Sequence, residues 1–319
     1  MAFLVALVMV GSCTLPAHTA QPGPATHARA SSRTVGVTML SLQYPFLVRL
    51  AGAMNAEAAR KHVNLVLLDP RHDVATELDQ VQNLITRGVD LITMIPVDEQ
   101  SSQTAARKVD AAGIPLVLLN TRLSSGFTRT GGHYVTYVGA NDVTAGRIQG
   151  EYLAKQLPDG GNVIYLVGQY GGASTDRRKA GFDAVLKRHP NIHVVAEVQA
   201  HGSRAEGRTI TENLLHRYQT GQIQALVAQN DEMALGALSA IDAANRRGEF
   251  KVVMGVDGSP QGLAAVRRGD LTATVFQDAG AQGRALVDTV AKILDGQKVP
   301  STVDIPFRLI TRQNVNAVT

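Results

Sequence analysis

Polar side chains able to hold a small molecule gather in this sequence just after short apolar runs. Gln43-Tyr44-Pro45-Phe46 follows TVGVTML, Asp69 closes VNLVLL, and Asn120-Thr121-Arg122 follows IPLVLL. Asn230-Asp231 follows IQALVAQ, Asp257-Gly258 follows KVVMGV, and Gln277-Asp278 follows LTATVF. Carboxylates and amides accept and donate paired hydrogen bonds, and Arg supplies a rigid donor fork. An aromatic ring can cover a C–H face. Together these groups suit capture of a neutral, hydroxyl-bearing molecule. Asn230 also suits a helix N-cap, with Asp231 and Glu232 complementing the positive end of the helix dipole.

Catalytic patterns are weak. GQYGG at 168–172 lacks the G-x-G-x-x-G spacing, and no Walker Lys-Ser/Thr pair follows it. GASTD misses the G-x-S-x-G nucleophile elbow. The nine histidines form no metal cluster: His189 and His193 are four apart, but Pro190 breaks a shared helical face. A single cysteine, Cys13, excludes an intramolecular disulfide and a cysteine-based metal site. The expectation is a protein that is not an enzyme and uses neither metal nor cofactor.

The elements that must position these edges are short apolar strands alternating with amphipathic helices. Continuously apolar strands between helices imply parallel sheets covered on both faces. Helices are expected near 46–61, 73–87, 100–112, 142–156, 176–188, 204–217, 231–243, 260–268 and 280–294, with a last strand around 302–310. Pro158-Asp159-Gly160-Gly161 separates two runs of the same grammar. At 319 residues, 45% hydrophobic and 18% charged, the chain can build two cores, and its net charge of +4 includes no basic run of the kind that marks a nucleic-acid surface.

Ahead of the first strand, residues 2–10 (AFLVALVMV) are too short to span a bilayer but match a signal-peptide core. VGSC then resembles a lipoprotein cleavage site with Cys13 as the lipidated residue, while ARA at 28–30 offers a competing cleavage point. Thr14 to Ser32 reads as a tether. The protein is expected to be exported, either periplasmic or lipid-anchored on the outer face of the cytoplasmic membrane.

YPF after the first strand, LDQVQNLITRGVDLI, AQNDEMALGAL, VMGVDGSPQG and LTATVFQ, in this order, resemble the type I periplasmic sugar-binding proteins of ABC transporters, typified by ribose-binding protein. The resemblance covers nearly all of 33–312. It implies two doubly wound parallel-sheet α/β lobes joined by a three-segment hinge, with residues 33–140 plus 278–306 in one lobe and 141–277 plus 307–319 in the other, behind a leader and tether at 1–32. It also implies ligand contacts at Tyr44, Phe46, Leu47, Asn120, Thr121, Arg122, Arg178, His201, Asn230, Asp257 and Gln277. Arg178 is selected by its distance ahead of Phe182, leaving Arg177 to solvent, although the swap stays open. Leu47 stands where ribose binders carry a second Phe, Asn120-Thr121 where they carry Asp-Arg, and His201-Gly202 where they carry Asp-Phe. These departures argue against ribose itself and leave a hexose, a cyclitol or a linear polyol compatible; Asp257 opposes an anionic ligand.

The resemblance further implies a monomer that closes on a monosaccharide or polyol and docks on a membrane permease. Presentation of the ligand to a sensor kinase or chemoreceptor is the alternative. The same fold serves lactose-repressor-type regulators, but these need a helix-turn-helix module where this chain has its apolar leader.

Overall fold

The computed structural model describes Met1, Ala2 and residues 33–318; Cys13 and both expected cleavage points lie outside the described residues. Residues 33–318 belong to one unit. It begins β1 (Thr34–Thr38), α1 (Pro45–Lys61), β2 (Asn64–Leu68), α2 (Val74–Thr86), β3 (Leu91–Met94), α3 (Gln103–Ala111), β4 (Leu116–Leu119), the one-turn α4 (Gly126–Arg129) and β5 (Thr136–Gly139). It continues α5 (Asp142–Gln156), β6 (Gly161–Val167), α6 (Ala173–Leu186), β7 (Ile192–Gln199), α7 (Arg204–Arg217), β8 (Ala225–Ala228), α8 (Asp231–Ala243), β9 (Val252–Asp257), α9 (Pro260–Arg268), β10 (Ala273–Phe276), α10 (Ala279–Leu294), β11 (Thr302–Asp304) and β12 (Arg308–Thr311).

The strands form two six-stranded sheets, ordered β11-β5-β4-β3-β1-β2 and β12-β10-β9-β8-β6-β7. Every pairing is parallel except β12 on β10. Each sheet is buried on both faces, which is why its strands read as unbroken apolar runs. In β4, Val117 and Leu119 join the core beneath α1 and α10, while Leu116 and Leu118 join the opposite core with Val81 and Leu84 of α2. In β8, Leu226 and Ala228 face one core, and Ala225 and Val227 the other. This is the period-2 alternation of a strand placed between two helical layers.

The chain passes between the sheets three times: between β5 and α5, between β10 and α10, and between β11 and β12. α5 packs Ala145 and Leu153 on the second sheet, whereas α10 returns Leu286, Val287 and Val290 to the first. Gly283 lets α10 approach α1 closely, because a Cβ there would lie 2.8 Å from Ala53 Cβ and 2.9 Å from the Met54 nitrogen. The single closing strand expected at 302–310 is in fact two, one in each sheet. Ile305-Pro306-Phe307 lies between them, and Phe307 is buried in the second core.

Candidate functional site

A cavity of about 140 Å³ lies between the carboxyl-terminal edges of the two sheets. At about 10–15 Å³ for one enclosed water, it has room for about ten non-hydrogen atoms. Open α/β sheets gather ligands at this edge because side chains from successive strand–helix turns converge there.

From the first sheet come Tyr44, Phe46 and Leu47. Tyr44 is the N-cap of α1 in extended backbone, and Pro45 begins the helix with its preset φ, so Phe46 and Leu47 fall in the first turn. Both are also anchored in the core under α1. Asn120 and Thr121 follow β4. Asn120 takes a left-handed backbone (φ 58°), and its carbonyl accepts a 2.9 Å hydrogen bond from the Tyr137 hydroxyl. Arg122, one residue on, is not part of the wall. Its guanidinium lies 3.6 Å from the Tyr137 ring centre and donates to Thr302.

From the second sheet come Arg178, His201, Asn230 and Asp257, with Gln277 at the end of β10. Arg178 is the buried cation: Nε donates to Asp142 Oδ1 at 2.8 Å, Nη1 donates to the Gln229 carbonyl, and Nη2 reaches Gln277 Oε1 at 3.4 Å. Burial works against its charge, but Asp142 and Asp257 outweigh that and raise its pKa, so it stays protonated. Gln277 Nε2 in turn donates to Asn120 Oδ1 at 2.8 Å. One chain of hydrogen bonds therefore runs from Asp142 through Arg178 and Gln277 to Asn120 and links the two lobes.

Asp257 ends β9 at φ 110°, a backbone that non-glycine residues seldom take. Burial pushes its carboxyl up to about 7 against the opposing pull of Arg178. His72, Asn120, His201 and Asp257 all line the cavity with positive φ. Such strain, about 1–3 kcal/mol per residue, persists where surrounding structure over-determines it, and it concentrates at binding sites.

Asn230 lines the cavity and is the N-cap of α8. Its Oδ1 caps α8 by accepting from Met233 N at 2.9 Å, and its Nδ2 donates to the Gly202 carbonyl at 3.1 Å. Asp231, in the first turn of α8, is fully buried and accepts from Ser259 N and Thr274 Oγ1, both at 2.6 Å. Glu232 is paired with Arg204. His201 sits at the wall with its ring between Gln199 and Glu206. Gly202 beside it must be glycine, since its φ is +69° and a Cβ would meet Asn230 at 3.1 Å and Tyr44 at 3.2 Å across the cleft. Arg177 is not left to solvent but pairs with Glu99.

Other wall residues were not picked out from sequence: His72 beyond β2, Pro96 and Val97 beyond β3, Gly168 and Gln169 beyond β6, and Gln229 beyond β8. Each follows a strand, so the same edge rule applied throughout would have found them. Gln229 braces the wall, accepting from Gly168 N and donating to Tyr165 Oη and the Thr175 carbonyl. Among the described residues, no three His, Cys, Asp or Glu side chains are grouped to hold a metal ion.

Residues 35–298 match the family model of the periplasmic binding protein domain. The chain belongs to the periplasmic binding protein family. Among this family's curated members, it is 34% identical over 280 residues to the ribose import binding protein of Escherichia coli strain K12, covering 88% of this chain and 91% of that protein. It is 32% identical over 294 residues to the xylitol-binding protein of Mycolicibacterium smegmatis, covering 91% and 80%. Among solved periplasmic binding proteins, an ABC transporter solute-binding protein from Bacillus halodurans C-125 with bound myo-inositol superposes with a TM-score of 0.83 at 32% identity, covering 90% of this chain and 96% of that one. A family of exported transport proteins is thus the setting in which the cavity acts.

Proposed function

We propose that this protein captures a neutral sugar or polyol between its two lobes and delivers it to the membrane permease of an ABC importer, leaving the ligand chemically unchanged. The observation that carries this reading is the cavity wall. Asp257 brings a carboxyl that receives no hydrogen bond from a donor among the described residues, beside the buried Arg178 and the amides of Asn120 and Asn230, opposite Tyr44 and Phe46. Vicinal hydroxyls can donate to the carboxylate while accepting from the amides, and the aromatic side can cover C–H groups.

The moving bodies are the lobes 33–140 with 278–306 and 141–277 with 307–319, turning on the three crossings. A ligand that touches both walls favours the closed arrangement by contacts that the open one lacks. The protein would act as a monomer, held in the periplasm or lipid-anchored through Cys13. The named ligands of its relatives, ribose, xylitol and myo-inositol, define the first panel to try.

The test is a thermal-shift and calorimetric screen of refolded, ligand-stripped protein against pentoses, hexoses, inositols and sugar alcohols, with mass spectrometry of the recovered ligand. A thousandfold excess of a true ligand over its Kd stabilises the fold by about 4 kcal/mol. An unchanged ligand mass and a shift confined to one polyol class are expected. No shift with any member, or a ligand altered in mass, sinks the reading.

A further inference from the structure

Away from the hinge-side Gln277–Asn120 bond and Arg308–Asp278 pair, three contacts span the cleft. Arg49 Nη1 donates to the Gly258 carbonyl at 3.1 Å, His72 Nε2 lies 3.1 Å from Gln169 Oε1, and Arg177 of α6 pairs with Glu99 of the loop after β3. The third differs from the others in joining opposite full charges, with both side chains about two-thirds or more removed from solvent (32% and 25% exposed). Neither Glu99 nor Arg177 lines the cavity.

Both partners are held in place by their own lobe. The loop carrying Glu99 is fastened by the buried Glu77, which accepts from Val97 N at 3.2 Å and from the Ser102 hydroxyl. The Glu99 carbonyl also accepts from Ser124 N at 3.0 Å. Arg177 precedes Arg178, whose guanidinium is fixed by Asp142 and the Gln229 carbonyl. Consecutive residues of one helix therefore face the cavity and the opposite lobe.

We propose that Glu99 and Arg177 form a closure latch, an ion pair made only when the lobes meet, which scales affinity for every ligand by one common factor. This rests on the two-lobe capture reading above. The physical reason is that apparent affinity equals intrinsic affinity multiplied by the fraction of molecules competent to bind. A group outside the wall can alter that fraction but has no contact by which to rank ligands, whereas a wall residue changes the ranking.

The experiment measures Kd of the full chain for myo-inositol, xylitol and D-ribose by calorimetry, in wild type, Glu99→Gln, Arg177→Gln and the exchanged pair Glu99→Arg with Arg177→Glu. Each single variant is expected to weaken every ligand that the wild type binds by the same factor, about three- to tenfold at low salt. The loss should shrink in 1 M NaCl, where the Debye length falls to about 3 Å. The exchanged pair should recover part of the affinity, which a merely structural role would not allow. Equal Kd values in variants and wild type, or factors that differ between ligands, overturn the latch. If the wild type binds none of the three probes, the capture reading fails on that panel, and the latch is judged from small-angle scattering of ligand-free protein. There Glu99→Arg, which sets two cations face to face, is expected to raise the radius of gyration; an unchanged radius overturns the proposal.

Discussion

Asp231, the first residue of α8 just beyond β8, and Asp257, at the end of the adjacent strand β9, are both carboxylates at a sheet edge, yet they are satisfied in different ways. Asp231 accepts from Ser259 N and Thr274 Oγ1, and Gly255 and Gly262 leave room for it: a Cβ at Gly262 would sit 2.1 Å from its Oδ2. Asp257 faces the cavity beside Arg178, with no hydrogen-bond donor to it among the described residues. Burial raises both pKa values, Asp231 to about 6 and Asp257 to about 7, and the hydrogen bonds to Asp231 hold it lower. A carboxylate that already has its donors joins elements together, whereas one still lacking them can receive a ligand.

The largest effect expected from this contrast is on affinity. Asp257→Ala removes the acceptor for two ligand hydroxyls, and charge-assisted hydrogen bonds are worth about 1.5–3 kcal/mol each, so binding should weaken at least about 100-fold. The ligand-free melting temperature should hold or rise, because a half-buried carboxylate with no hydrogen-bond donor among the described residues has gone. Calorimetric titration beside a thermal melt checks both halves; an affinity within tenfold of wild type would break the comparison.

Asp231→Ala should do the reverse. It orphans the Ser259 N–H and the Thr274 hydroxyl, each at a cost of about 1–3 kcal/mol, so the fold should lose about 2–4 kcal/mol. In urea titrations the midpoint should fall, while the protein that remains folded keeps a Kd within a few-fold of wild type. A folded, fully stable variant with lost affinity would place Asp231 in the binding set instead.

Acid sharpens the difference further. Both folded pKa values lie above the usual carboxylate range, so each group favours folding at low pH, and that contribution is lost as pH rises through about 6 to 7. Ligand hydroxyls instead donate to ionised Asp257, so affinity should rise with pH until above about 7. With a pKa of about 7, a ligand requiring the carboxylate binds about tenfold more weakly at pH 6 than at pH 8. Kd measured across pH 5–8 should show this slope in wild type and lose it in Asp257→Asn. A flat wild-type profile would mean that the ligand does not use the charge.

How much of this was legible in the sequence depends on how local the cause is. α5, α7, α8 and α9 run over the residues expected of them, because their starts are marked by residues that cap their own first turns, as Asn141, Ser203, Asn230 and Ser259 do. Asp257 and Asn230 stood out because a polar residue ending an apolar strand is a local signal. The partners of Arg177 and Asp231 were not legible: Glu99 precedes Arg177 by several elements, and Thr274 reaches Asp231 of α8 from β10. The division of 302–310 between two sheets was hidden for a related reason, since Thr302–Asp304 finds its partner in β5 and Arg308–Thr311 in β10.

Arg122 is the smallest and most telling case, a charged residue at a strand edge that the family resemblance placed at the ligand. The left-handed turn at Asn120 carries the chain so that Arg122 lies over Tyr137 and reaches Thr302 instead of the cavity. A cation stacked on a ring at a partly exposed site is worth about 0.5–1 kcal/mol. Arg122→Ala should therefore lower the melting temperature by a few degrees at most and leave Kd within twofold for every ligand. Tyr137 keeps its hydrogen bonds to the Asn120 and Ala140 carbonyls whether or not Arg122 is present, so Asn120 should hold its place at the wall. A tenfold loss of affinity in Arg122→Ala, with the melting temperature unchanged, would show that the side chain swings into the cavity when ligand arrives. The edge rule would then extend to residues that stand outside the cavity wall.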